Sequence, residues 1–382
     1  MVELFSNLKL HDSLVAALHK EGITTPTEVQ SMVIPEAMQG KDLVVQSETG
    51  TGKTLAYLLP LLMKINLAQK EMQAIILAPT HELAMQILRQ IERLSQNSEL
   101  KASSTSAIGN VNIARQVERL KEKPQIIVGT PGRVLELIKR RKIAAHTVKT
   151  IIVDEADTLT DENNLGIINA VIKSTQKDRQ LLMFSATITK STEECAKQMM
   201  NDPEVIRANT AASVPVTIEH IYLMAEQRDK LEVLRKAIGV LRPLKALVFI
   251  GDREETKVCT DNLTYHGLKV AGMHGHSDKM DRRKAIDDFR SGQINLLVVS
   301  DLAARGLDIE GVTHIFNLDI PEDAKGYLHR VGRAGRMGRV GTAVSIVTER
   351  ELQFVKLYEK DLKIRIVAKD MYRGTVIDAK RK

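Results

Sequence analysis

The 382-residue sequence predicts two α/β domains in tandem, each a mostly parallel β-sheet flanked by helices. Three observations predict this. Short apolar runs alternate with helix-period segments in both halves, a small polar stretch without periodicity lies between the halves, and the length suits two to three independent cores. Apolar runs of four or five residues bounded by helices read as strands buried on both faces, which is the mark of parallel βαβ units. In chain order, Leu10, Leu14, Val15 and Leu18 share one helical face that stops at Gly22, and Pro26 follows the stop. A helical preamble is therefore expected over 1–31. The first domain, 32–208, should hold strands at 43–46, 74–78, 125–128, 150–153 and 180–184. A linker is expected at 209–216, within the stretch RANTAASVP. The second domain, 217–366, should begin near the strand 216–224 and continue with strands at 246–250, 295–299, 313–317 and 342–347. Helices are expected around 228–240, 253–264, 279–290 and 323–331, and 367–382 reads as a short basic tail.

Composition excludes several classes. Six Tyr, six Phe and no Trp argue against a binding mode built on rows of stacking aromatics. The longest apolar run, Leu55 to Met63, is far short of the roughly 20 residues a membrane span needs, and Pro60 interrupts it. No membrane partner is expected. The opening residues MVELF lack the pattern of a signal peptide, and Cys195 and Cys259 lie far apart, so a reducing, cytoplasmic compartment is expected. Net charge is +7, with 25 Lys and Arg against 24 Asp and Glu over 1–208, and 30 against 24 over 209–382. Within the second half, Lys325, Arg330, Arg333, Arg336 and Arg339 cluster with no acid among them over 325–345. An anionic partner is implied.

The segment Ser47 to Thr54 (SETGTGKT) follows one expected strand and precedes a helical run, the context of a phosphate-binding loop. Gly50 and Gly52 would let backbone N–H groups close on phosphate oxygens at the helix start. Lys53 would reach the terminal phosphates, and the Thr54 hydroxyl would ligate Mg²⁺. About 100 residues on, the strand TIIVDEAD ends at Asp154, Glu155 and Asp157, where such a domain holds its metal. Asp154 is the candidate metal ligand, and Glu155 the candidate to polarise an attacking water. By itself an acidic run also suits any helix start. Ser185 and Thr187 in SAT read equally as a helix cap or as a coupling element. Arg333 and Arg336 in YLHRVGRAGR, three residues apart, would share one helical face as arginine fingers or belong to a solvated basic patch.

Taken together the motifs resemble the DEAD-box ATP-dependent RNA helicases, short bacterial-type members with the helicase core alone, over nearly the whole chain. GITTPTEVQ (22–30) resembles the family's adenine-reading motif, and PTHELA (79–84), TPGR (130–133), SAT (185–187), SDLAARGLD (300–308) and the arginine segment match the others in order. The resemblance implies two RecA-like P-loop NTPase domains, ATP and Mg²⁺ as cofactors, and RNA as partner. It implies that Gln30 reads adenine and Phe5 packs on it, with Ser47, Glu48, Thr49, Gly50, Thr51, Gly52, Lys53 and Thr54 around the phosphates and Asp308 on the ribose. RNA backbone contacts fall to Pro79, Thr80, Thr130, Gly132, Arg133, His274, Gly275, Ser300 and Gly306. Coupling between domains falls to Ser185, Thr187 and His329, and catalysis to Lys53, Asp154, Glu155, Arg333 and Arg336. Such contacts suit a backbone reader with little sequence preference.

Five positions depart from the family pattern: Ser47 for Ala, His81 for Arg, Asn110 for the second Gly after Gly109, Lys279 for Gln, and Ser300 for Thr. His81 removes a permanent cation and Asn110 adds a Cβ where close approach is wanted, so weakened RNA affinity in the first domain is expected beside an intact ATP site. Two outputs stay open: local separation of short RNA duplexes, and an ATP-dependent clamp or assembly factor that holds RNA without unwinding it. Ribosomal precursor particles are a suggested target, and the chain is expected to act as a monomer.

Overall fold

The computed structural model describes all residues except 1–3, 48–50, 110, 162–163, 189, 209–217, 252, 275–278, 305–308, 310, 336–339 and 380–382. The expected linker lies outside the described residues. The chain divides into two compact units, Met1–Thr210 and Ala211–Lys382.

The first unit carries seven strands: β1 (Leu43–Gln46), β2 (Ala74–Leu77), β3 (Ser104–Ala107), β4 (Ile126–Gly129), β5 (Thr150–Asp154), β6 (Gln180–Ser185) and β7 (Glu204–Arg207). They form one parallel sheet in the order β3-β4-β2-β5-β6-β1-β7. Successive side chains of a strand point to opposite faces, and the buried residues sort accordingly. Val45, Ile76, Val128, Ile152 and Leu182 enter one core, together with the preamble residues Leu14 and Leu18. Val44, Ile75, Ile127, Ile151 and Met183 enter the other. Burial on both faces is why these strands read as unbroken apolar runs.

The second unit carries β8 (Ile218–Met224), β9 (Ala246–Phe249), β10 (Val270–Met273), β11 (Leu296–Val299), β12 (His314–Asn317), β13 (Gly341–Val347), β14 (Val367–Tyr372) and β15 (Thr375–Asp378). The order is β10-β11-β9-β12-β13-β8-β14-β15, parallel throughout except for the antiparallel pair β14 and β15. Ala246, Val248, Leu296, Val298 and Phe316 face one core; Leu247, Phe249, Leu297, Val299 and Ile315 face the other. Among the described residues no helix is long and apolar enough to cross a membrane.

The structure corrects the reading of strands and of the tail. β3, β7 and β10 have no counterpart among the expected strands, and all three lie at sheet edges. An edge strand has one neighbour and needs no apolar run, so STSA, EVIR and VAGM carry little periodic signal. Residues 367–378, read as part of a basic tail, instead continue the second sheet: Val367–Lys369 pair with Ile221–Leu223 of β8, and the hairpin turns at Arg373 and Gly374, both with positive φ.

Candidate functional site

In a parallel sheet, ligands gather outside the carboxyl ends of the strands. Strand order then decides which residues are neighbours. In the first unit β1, β6 and β5 are consecutive, with Gln46 beside Ser185 and Asp154 beside Phe184, so the segments beginning at Ser47, Ser185 and Asp154 emerge side by side. β2, β4 and β3 form the other flank of the same edge, where Pro79 and Thr80, Thr130, and Gly109 follow their strands. One sheet edge thus divides into a phosphate-loop flank and a second flank.

On the first flank, Gly52 stands at the start of helix Lys53–Lys64 with φ 91°. The Gln30 amide donates to the Gly52 carbonyl at 3.0 Å, while its oxygen accepts from the Thr27 backbone N–H at 2.9 Å. Gln30 is 1% exposed, so it is a buried brace between preamble and phosphate loop. Ser47 and Thr51 hydroxyls bond across the loop at 2.5 Å. The Lys53 ammonium is buried and has no hydrogen-bond partner among the described residues, a costly condition for a cation unless a ligand supplies one. Glu48, Thr49 and Gly50 lie outside the described residues.

Asp154 ends β5 with both carboxylate oxygens engaged: Oδ2 accepts from the Tyr57 hydroxyl at 2.9 Å and Oδ1 from the Glu155 N–H at 2.9 Å. Burial pushes its pKa up, against the opposing pull of Lys53 and the Tyr57 bond. Tyr57 is fully buried, packs edge-on against Phe184 at 5.1 Å, and also bonds the Thr54 side chain; burial, with Asp154 beside it, holds its phenol protonated well above the usual range. Glu155 adopts a left-handed backbone, φ 51° and ψ 51°, which is strained for a residue with a Cβ and is the kind of outlier that collects at working sites. Asp157 is tied to SAT: its N–H donates to Ser185 Oγ at 3.2 Å and its carboxylate accepts from the Thr187 hydroxyl at 3.1 Å. The Ser185 hydroxyl in turn donates to the Thr187 carbonyl at 2.6 Å. SAT is therefore bound to the acidic segment rather than serving only as a cap.

On the second flank, Thr80 caps helix His81–Asn97 by accepting from the Leu83 N–H at 3.2 Å. Thr130 precedes helix Pro131–Lys139 but makes no capping bond with its side chain. Arg133 reaches the Val111 carbonyl at 3.3 Å and Glu136 at 3.0 Å, and Gln116 bonds both the N–H and the carbonyl of Ile108, so this loop is held from two sides. A Cβ on Gly129 would strike the Ala107 carbonyl at 2.2 Å, whereas one on Gly132 would meet no protein atom within 4 Å. The fold needs a glycine at 129 and does not need one at 132. His81 lies over Gly109, its Nε2 3.3 Å from where a Cβ would stand; Asn110 is outside the described residues.

In the second unit, β10 and β11 are adjacent, so His274 and Ser300 leave neighbouring strand ends. The Ser300 hydroxyl accepts from the Ala303 N–H at 3.4 Å as a cap to helix Asp301–Ala304. His329 lies on helix Ala324–Val331, and Arg333 follows that helix. Gly275, Gly306, Asp308 and Arg336 lie outside the described residues.

Phe5, like Gln30, is 1% exposed, and it packs in the first core. One placement differs from expectation. Arg330, one of the clustered cations, is 5% exposed and internal: its fork grips Asp301 at 2.7 and 2.6 Å, it bonds the Asp319 carbonyl and Asn317, and it lies 5.0 Å over the Phe249 ring. Tyr57 was the site residue hardest to see from sequence. Tyr57 had one signal, a phenol in an aliphatic helix four residues from Lys53 and hence on its face. Replacing Arg330 by Ala should lower the second unit's stability in urea by about 3 kcal/mol, because buried acceptors lose their donor. Full stability with lost ATPase would instead place Arg330 in the chemistry.

A two-unit chain with a phosphate loop, a strand-end acidic segment and a linked SAT defines a helicase-type NTPase. The profile of the DEAD/DEAH box helicase family matches residues 27–195, and that of the helicase conserved C-terminal domain matches 229–338. The chain belongs to the DEAD-box ATP-dependent RNA helicases. It is 41% identical over 369 residues to the DEAD-box ATP-dependent RNA helicase CshC of Bacillus cereus, covering 97% of this chain and 94% of that one. It is 43% identical over 359 residues to the probable ATP-dependent RNA helicase YfmL of Bacillus subtilis, covering 94% of each. Among solved structures, S. cerevisiae Dbp5 bound to RNA and ADP BeF3 aligns with TM-score 0.86 and 29% identity over 96% of this chain and 95% of that one.

Proposed function

We propose that this chain is an RNA-dependent ATPase that separates short RNA duplexes locally, with hydrolysis serving release. The buried, unpartnered Lys53 ammonium at the start of the phosphate-loop helix carries the reading, since a nucleotide's terminal phosphates would supply what it lacks. The Gln30 amide, fixed at Thr27 and Gly52, keeps an N–H and a lone pair for an adenine edge. Thr54 and Asp154 would hold Mg²⁺; their oxygens, together on one buried network with Tyr57, are the hard donors that ion takes. When bound, Mg²⁺ neutralises charge on the phosphates. Glu155, displaced from the buried position of Asp154, directs the attacking water, and Arg333 and Arg336 of the second domain stabilise the transferring phosphoryl group.

The RNA face is assigned to Pro79, Thr80, Thr130, Gly132 and Arg133, with His274, Gly275, Ser300 and Gly306 in the second domain. Gly132 is compatible with this: a Cβ there would meet no described atom within 4 Å, which leaves room for a backbone from outside the chain. His81 supplies no permanent charge there. His81→Arg should tighten RNA binding several-fold at low salt and steepen its salt dependence, by about 0.7 per added phosphate contact on a single strand. An unchanged Kd and slope would remove His81 from the RNA face. The overall reading is tested by strand displacement on short RNA duplexes with ATP. ATP-dependent retention without displacement would move the conclusion to a clamp, and no stimulation of ATPase by RNA would overturn both.

A further inference from the structure

Residues 363–382 hold seven Lys and Arg against two Asp, a net +5 that equals the +5 of the arginine segment over 325–345. This stretch includes the β14–β15 hairpin. Across an antiparallel pair, opposed residues share a face. Lys369 opposes Asp378 and Met371 opposes Val376; Met371 packs against the second unit's core, so that face is turned inward. Asp370 and Ile377, and Tyr372 and Thr375, occupy the other face, where Tyr372 is 55% exposed and Ile377 39%. Arg373 sits at the turn with its guanidinium 5.2 Å over the Tyr372 ring, and Arg365 and Lys363 are exposed just before β14. Arg365 lies close enough to Asp378 to lower its pKa, after the larger effect of the Lys369 bond. The hairpin therefore has an open aromatic ring at its tip and cations at both ends.

We infer that this hairpin is an auxiliary RNA-binding surface, with a single-stranded base stacking on Tyr372 and flanking phosphates held by Arg373 and Arg365. An aromatic ring beside Arg is sequence-tolerant toward bases, and phosphate neutralisation supplies affinity without specificity. The chemistry favours RNA over a protein partner. The exposed apolar surface on this face is one Tyr and one Ile, too little for a stable protein interface, while the stretch 363–382 carries a net charge of +5. The surface would add affinity without touching the nucleotide. The inference rests on the RNA-helicase reading, from which its test is separable.

The test uses the full chain, a fluorescent single-stranded oligouridine and a non-hydrolysable ATP analogue, with Kd measured across a KCl series. Tyr372→Ala should weaken binding at least about fivefold, and Tyr372→Phe should retain it, because stacking needs the ring and not the hydroxyl. The pair Arg365→Ala with Arg373→Ala should lower the salt slope by about 1.4, two phosphates at about 0.7 each. Lys173→Ala with Lys177→Ala, exposed cations of the first unit, should leave the slope unchanged. RNA-stimulated ATPase should show a raised KM for RNA with kcat preserved. Wild-type Kd and slope in the hairpin variants, or an equal loss in the lysine control, would overturn the inference. The second result would assign the effect to bulk charge, and a hairpin variant that lost only a protein contact would assign the face to a protein. If the unaltered chain shows no stimulation by RNA, the fault lies instead with the helicase reading.

Discussion

Gly52→Ala is expected to abolish useful ATP binding, raising KM for ATP by at least about tenfold. Two effects combine. The residue sits at φ 91°, where an alanine pays roughly 1–2 kcal/mol, and its Cβ would lie 2.3 Å from Gln30 Nε2. A flexible amide could swing aside elsewhere, but Gln30 is buried and bonded at both ends. Moving it breaks the bonds to Thr27 and Gly52 and strands buried polar groups at about 1–3 kcal/mol each. The clash predicts a coupling: adding Gln30→Ala to Gly52→Ala should cause less harm than the two separate losses together. Strict additivity of ATP KM in that double-mutant cycle would show that the brace does not act through this contact.

Glu155→Gln should trap the enzyme, lowering ATP turnover by about 10² to 10⁴ while ATP and RNA affinities stay near wild type. The reason lies in how the adjacent carboxylates are placed. Asp154 is buried, with both oxygens taken by Tyr57 and the Glu155 N–H, and burial raises its pKa. Glu155 is part-exposed and turned away by its left-handed backbone, which Gln can keep because only the side-chain terminus changes. Turnover measured under saturating RNA, beside equilibrium binding of both ligands, decides the matter. Normal turnover would remove Glu155 from the chemistry; loss of ATP binding would make it a structural support.

Much of the architecture was legible because it is local. The runs at 43–45, 74–78 and 181–184 are apolar and buried, and glycine, lysine and threonine at 52–54 can serve a phosphate only at a strand-to-helix turn. Edge strands were not legible, since β3, β7 and β10 need only one partner and tolerate polar or small residues. Charge was misleading for a related reason. Summed by halves, it pointed to the arginine segment, yet Arg330 is spent on Asp301 and 363–382 carries an equal excess of +5.

The sequence by itself determined which chemistries the chain can perform: a phosphate loop, paired carboxylates and arginines at fixed offsets. Tertiary structure alone decided which partner each side chain takes. Gln30 meets Gly52, Tyr57 meets Asp154, SAT meets Asp157, and Arg330 turns inward to Asp301 although its neighbour Arg333 belongs to the same motif. Spacing along one element fixes direction within a turn or a pleat, but these contacts join segments 22 to 97 residues apart. The Tyr57 and SAT contacts exist because strand order sets β1, β6 and β5 side by side, and that order is a property of the packed sheet.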